Sequence, residues 1–162
     1  MIPKIEKILY ATDLSESARH AFGYAASMAN YSSAKITIMH ALEGFSGTGA
    51  WHMATYLGED RWNEMIKERE SEVVEQLRGR LDNFCTQMRT EMQSCPFLVD
   101  DIQVKSGKAE EEILKMVKSG EYDLLIVGTH GQGGFVDARM GSTARRVVRR
   151  SPIPVLTVRL PK

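Results

Sequence analysis

Apolar positions fall into short runs, separated by longer stretches in which they recur every three or four residues. The first run, Ile5 to Ala11, is bounded by Thr12-Asp13 and predicts a strand. Behind it Ala18, Ala21, Phe22, Ala25 and Met28 make one helical stripe from about Ser15 to Asn30. Ser15 suits the helix start, because its side-chain oxygen can accept from a free backbone N–H in the first turn. Lys35 to Ala41 predicts a second strand. The stretch from Gly44 to Gly58, with Trp51, Met53 and Tyr56, shows no clear period. Trp62, Met65, Ile66, Val73, Leu77, Leu81, Phe84 and Met88 then fit a long amphipathic helix with a charged outer face. The Cys95-Pro96 step should end it, since the residue before proline disfavours the helical region.

Phe97 to Val104 predicts a third strand. Glu110-Glu111-Glu112 suits a helix start, where the macrodipole favours anions. Ile113, Leu114, Met116 and Val117 give that helix its buried side, and Gly120 is its terminator. Leu124 to Val127 is a fully apolar strand, as expected of one covered on both faces. A loop from Gly128 to Met140, a short helix from Ser142 to Arg150 and a fifth strand from Val155 to Leu160 complete the chain. The pattern βαβαβαβαβ predicts an α/β fold with a parallel sheet and helices on both faces. There is no internal repeat, low-complexity tract or linker, so residues 1–162 are read as one domain.

Composition narrows the classes. At 43% hydrophobic and 26% charged, the chain reads as globular rather than disordered. Equal numbers of basic and acidic residues leave no net-charge argument for nucleic acid or an anionic membrane. Leu124-Leu125-Ile126-Val127, the longest strongly apolar run, is too short to span a bilayer. Met1 to Lys7 lacks the apolar stretch of a signal peptide. Cys85 and Cys95 form no C-x-x-C pair, and free thiols in a reduced compartment are expected. The expectation is a cytoplasmic protein.

Ligands of open α/β sheets bind beyond the carboxyl ends of the strands, at the topological switch point. Three segments leave strands at that end: Ala11-Thr12-Asp13, Ala41-Leu42 and Gly128-Thr129-His130-Gly131. The last leads to Gly141-Ser142-Thr143 at a helix start. Glycines admit an anion close to the backbone. Successive N–H groups can form an anion nest, and the helix start adds unpaired donors and positive dipole. The hydroxyls of Ser142 and Thr143 complete a phosphate cradle. There is no Walker motif and no G-x-G-x-x-G in the first βα turn. The glycines alone do not specify adenine.

Gly128-x-x-Gly131, nine residues and then Gly141-Ser142 match the G-2x-G-9x-G-[ST] pattern of ATP-binding universal stress proteins. The opening Ile8 to Ser15 and the ending Arg145 to Val158 are similar to the same family. The resemblance covers essentially the whole chain except Gly44 to Gly58. It implies a five-stranded Rossmann-like sheet in the order 3-2-1-4-5. It implies ATP (or ADP or AMP), with adenine and ribose near Asp13 and the backbone around Ala41. Phosphates would lie on Gly128, His130, Gly131, Gly141, Ser142 and Thr143, carrying Mg²⁺ or Mn²⁺. Ala11, Thr12 and Val127 join the same nucleotide-contacting set. It further implies a stress-response or signalling role as a nucleotide-dependent homodimer, joined through the C-terminal strand, with unidentified protein partners. One departure is Ala11, where the family commonly has proline.

Other readings compete. Slow ATP hydrolysis is the enzymatic alternative, although no paired carboxylate accompanies His130 in the loop. A scaffold that binds no nucleotide is the other. Asp13 and the three glycines are also common turn residues. Arg145, Arg146, Arg149 and Arg150 read as a solvated helix face opposite Ala144, Val147 and Val148, not as a nucleic-acid surface. Trp51, Met53, Tyr56 and Trp62 fit core packing or a lid equally well. His20, His40 and His52 lack metal-ligand spacing, so no protein-held metal is expected.

Overall fold

A computed structural model describes residues 1–45, 47–91, 97–130 and 140–161. Five strands, β1 (Lys7–Ala11), β2 (Lys35–Leu42), β3 (Leu98–Ser106), β4 (Leu124–Gly128) and β5 (Val155–Val158), form one sheet in the order β3-β2-β1-β4-β5. Every neighbouring pair is parallel. Chain order reverses between β1 and β4, which splays the connections after these strands and opens a crevice at their carboxyl ends.

The strands alternate as a sheet covered on both faces requires. Ile8 and Tyr10 of β1, with Ile36, Ile38 and Ile126, pack with Ala21, Phe22, Val73 and Leu77. Those helical residues belong to α1 (Glu16–Ser32) and α3 (Glu59–Glu91). Leu9, Met39, Leu125 and Val127 pack on the opposite face with Ile113, Leu114, Val117, Ala144 and Val147. These come from α4 (Ala109–Lys118) and α5 (Ser142–Arg150). β4 is buried from Leu124 to Val127, as its unbroken apolar run predicts.

Local signals set the helix ends. Ser15 caps α1, its Oγ accepting from the Ala18 N–H at 3.2 Å. Gly120, just beyond α4, takes φ of 78°, a left-handed turn that suits glycine. The stretch read as aperiodic corrects the sequence expectation: Gly47–Leu57 is helix α2. Not one of its residues is buried, so no apolar stripe was written into it. Trp51, Met53 and Tyr56 are exposed, which removes core packing as their role. Trp62 instead meets Phe45, with ring centroids 5.5 Å apart.

A second correction concerns sulfur. Cys85 is disulfide-bonded, and no cysteine among the described residues is free. Spacing along the chain does not reveal which thiols meet in space, and the compartment argument built on free thiols falls with it. Cys95 lies outside the described residues. Among those described, no helix is long and apolar enough to cross a membrane.

Candidate functional site

The ends of β1, β2 and β4 and the start of α5 surround one cavity of about 670 Å³. Ala11, Thr12, Asp13, Ala41, Val127, Gly128, His130, Gly141, Ser142 and Thr143 all line it. Gly131, the remaining expected contact, lies outside the described residues. The floor is apolar, supplied by Ala11, Met39, Val127 and Ile113.

The turn after β1 is fixed by its own polar groups. The Thr12 N–H donates to the Met39 carbonyl at 2.9 Å. His40 Nδ1 donates to the Thr12 carbonyl at 2.8 Å. Thr12 Oγ1 accepts from the Leu14 N–H at 3.1 Å, and Asp13 Oδ1 accepts from the Ser15 N–H at 3.0 Å. Asp13 is thus a turn residue as well as a lining residue. Leu14 holds φ of 67°, a left-handed conformation costing a branched residue roughly 1–2 kcal/mol.

Opposite it, the Thr129 N–H donates to the Val158 carbonyl at 2.9 Å, which carries the chain past the end of β4. The Gly141 N–H donates to the Thr129 carbonyl at 2.7 Å, and the first intrahelical bond of α5 runs from the Arg145 N–H to the Gly141 carbonyl. The N–H groups of Ser142, Thr143 and Ala144 therefore have no intrahelical acceptor. Among the described residues no side chain caps this end and no acid lies in the first turn, so the positive end of the helix dipole is left uncompensated by its own helix.

Beside that helix start stands His130. Its Nδ1 pairs with Thr129 Oγ1 at 2.9 Å, whereas its Nε2 is buried without a hydrogen-bond partner. Where the Thr129 hydroxyl donates to Nδ1, the ring proton sits on Nε2 as a donor. A buried donor without an acceptor costs about 1–3 kcal/mol.

The two described glycines of the motif act mainly on the protein itself. A Cβ on Gly128 would meet Ser17 Oγ at 2.7 Å and the Ser17 and Ala18 backbone at 3.2 and 3.3 Å. A Cβ on Gly141 would meet the Thr129 carbonyl oxygen at 3.1 Å. Gly128 lets α1 lie against β4, and Gly141 lets the loop close onto it.

A sequence profile described as the universal stress protein family matches residues 4–159. The chain belongs to the universal stress protein family. Universal stress protein MJ0577 of Methanocaldococcus jannaschii is 28% identical over 154 residues, spanning 95% of this chain and 94% of that protein. The solved universal stress protein UspA from Lactobacillus plantarum superposes with a TM-score of 0.74 at 21% identity, covering 98% of this chain and all of that one. A universal stress protein solved in complex with cAMP gives a TM-score of 0.60 at 21% identity, over 97% of this chain and 98% of that one. One from Archaeoglobus fulgidus in complex with dAMP gives 0.52 at 17% identity, over 97% and 99%.

Several lining residues of this universal stress protein escaped the sequence reading. His40 has no metal-ligand spacing, yet it anchors the β1 turn. Thr129 orients His130 and receives the Gly141 N–H. Arg69 of α3 also lines the cavity, where it pairs with Glu72 at 2.8 Å. No local motif could have placed Arg69 there, because only the tertiary crossing of α3 brings it in. The arginine face of α5 is exposed as expected, with one refinement: Arg146 pairs with Glu110 of α4. Burial raises the Glu110 carboxyl pKa, but its own backbone N–H and Arg146 outweigh that and hold it below the usual range. Val148, expected on the packed side of α5, is exposed.

Proposed function

We propose that this universal stress protein binds an adenine nucleotide, ATP in the first instance, in the cleft between β1 and β4. The observation that carries the reading is the buried, partnerless Nε2 of His130 beside the uncapped start of α5. One anionic oxygen there would satisfy the imidazole and meet the helix N–H groups together. Phosphates would rest on Gly128, His130, Gly131, Gly141, Ser142 and Thr143. The base and ribose would lie toward Ala11, Thr12, Asp13, Ala41 and Val127. Adenine is supported by the solved relatives in complex with cAMP and dAMP. No group of three His, Cys, Asp or Glu side chains able to hold a metal occurs among the described residues. A Mg²⁺ or Mn²⁺ ion would ride on the nucleotide's own phosphates. The role is that of a nucleotide-dependent signalling module, in which the ligand favours the state that binds it better.

The test is to purify the protein without added nucleotide, denature it and identify what is released by mass spectrometry. ATP or ADP near one per chain is the expected result. A protein that releases none and gives no heat with ATP and Mg²⁺ or Mn²⁺ would leave the scaffold reading in its place. Conversion of held ATP to ADP over days would favour slow hydrolysis.

The same reading includes a homodimer through β5. Among the described residues this strand is at the sheet edge and pairs only with β4. The carbonyls of Pro154 and Val158 accept from β4 and the chain just after it, so alternation turns the Thr157 N–H outward. An outward row of unpaired groups recruits a partner strand. Thr157→Pro removes that donor and is expected to weaken the dimer at least tenfold in sedimentation equilibrium. Unchanged dimer mass at low concentration would remove β5 from the interface.

A further inference from the structure

A second cavity, of about 490 Å³, lies on the other face of β1, between α1 and α3. Its wall is apolar and aromatic: Tyr10, Phe22, Ile38, Leu77, Leu81 and Phe84. Phe22 and Phe84 stand edge to face, with centroids 5.0 Å apart. Tyr10, which is buried, spends its hydroxyl proton on the Ala18 carbonyl at 2.6 Å and so asks nothing of a ligand. Two cations, Arg19 and Arg80, stand in the lining against one carboxylate, Glu16. Arg80 Nη1 donates to the Leu14 carbonyl at 2.8 Å, which ties α3 to the β1 turn and sets the guanidinium beside the cavity. Arg19 has no ion-pair partner among the described residues.

We infer that this cavity is a binding site for an apolar monocarboxylate of medium chain length, its tail on Phe22, Leu77 and Phe84 and its carboxylate between Arg19 and Arg80. The volume is that of a small-molecule site, with Thr12, Ser15, Asn83 and Gln87 in the lining beside the apolar side chains and the charged groups. Guanidinium is the group that matches a carboxylate with two parallel donors. A neutral apolar molecule would leave both arginines unused, and a cation would meet them head on. The inference does not rest on the nucleotide reading: the cavities share Thr12 and Leu14, but no residue of the β4–α5 corner lines this one.

The test titrates the full chain with sodium hexanoate, octanoate and decanoate by calorimetry, with octylammonium as the opposite-charge control. Affinity is expected to rise about fourfold per added methylene until the cavity is full, with octylammonium silent. Arg19→Ala, on the exposed surface, is expected to weaken octanoate about tenfold, and Arg19→Ala with Arg80→Ala further still. Leu81→Trp should fill the cavity and abolish binding, while circular dichroism confirms that the variant is folded. Should Leu81→Trp not fold, the loss in Arg19→Ala alone carries the test. The inference is overturned if the acids do not bind, if octylammonium binds equally, if octanoate affinity is undiminished in Arg19→Ala, or if it is undiminished in folded Leu81→Trp. Failure to bind because self-association covers Phe84 would assign the cavity to a second copy of this chain, and overturns it as well.

Discussion

The two cavities share one wall and are built from different materials. Thr12 and Leu14, on either side of Asp13, line both. On the β4 side the recognition groups are largely main-chain: the start of α5, drawn in by the Gly141–Thr129 bond, with one imidazole beside it. On the α3 side they are side chains from helices some sixty residues apart, Arg19 and Phe22 on α1, Arg80 and Phe84 on α3. A main-chain site is fixed once the strands pair and needs only residues that stay out of the way. A side-chain site depends on how two helices cross, and any one of its residues can be changed without disturbing the backbone. The first can persist through wide divergence, and the second can be retuned from relative to relative.

Gly128 gives the largest break in that comparison. Its Cβ would collide with Ser17 Oγ, so Gly128→Ala is expected to destabilise the nucleotide-free protein by about 2–3 kcal/mol, the usual cost of overpacking. Ser17 is buried and its hydroxyl has no hydrogen-bond partner, so Ser17→Ala alone should cost little. The double variant should recover more than half the loss, because the 2.7 Å contact is gone and only the backbone contacts at 3.2 and 3.3 Å remain. Urea denaturation of the four proteins measures this cycle. Strict additivity would return Gly128 to the ligand.

That glycine also shows what could be read in advance. The long-range spacing points to one corner of the fold, but a sequence pattern does not say whether a glycine makes room for a phosphate or for a neighbouring helix. All five strands were legible, the central ones most plainly, because burial on both faces of a sheet demands apolar runs such as Leu124 to Val127. The order of those strands came from the family resemblance, since periodicity carries no information about which strand lies beside which. Helix α2 was not legible: with no buried residue, nothing forced its apolar positions onto one stripe. The disulfide at Cys85, the reach of Arg69 into the cleft and the whole of the second cavity were equally hidden. The last two depend on the path of α3 across the sheet rather than on any neighbour in sequence.

His130 gives an intermediate effect and separates binding from folding. His130→Ala is expected to weaken ATP roughly tenfold to thirtyfold, the value of one hydrogen bond to a charged oxygen. It removes a buried atom that has no partner in the protein, and gives up one bond to Thr129 Oγ1. Nucleotide-free stability should therefore move by less than about 1 kcal/mol. Calorimetric titration and urea denaturation on the same preparation read the two effects. Unchanged ATP affinity would take His130 out of the phosphate corner.

Ser15 gives the smallest effect and tests the wall between the cavities. It lines the second cavity and caps α1, with Oγ on the Ala18 N–H. Ser15→Ala should cost about 1 kcal/mol, as loss of a helix cap does, and Ser15→Asp should restore it by supplying an acceptor and a charge favourable to the dipole. The turn before it is held independently, through Thr12 Oγ1, Asp13 Oδ1 and the His40 bond to Thr12. ATP affinity of Ser15→Ala is therefore expected to stay within twofold while its denaturation midpoint falls. Were affinity to fall with stability and return with Asp, the cap would belong to the cleft. The turn would then respond as one unit, and whatever fills one cavity would be felt directly in the other.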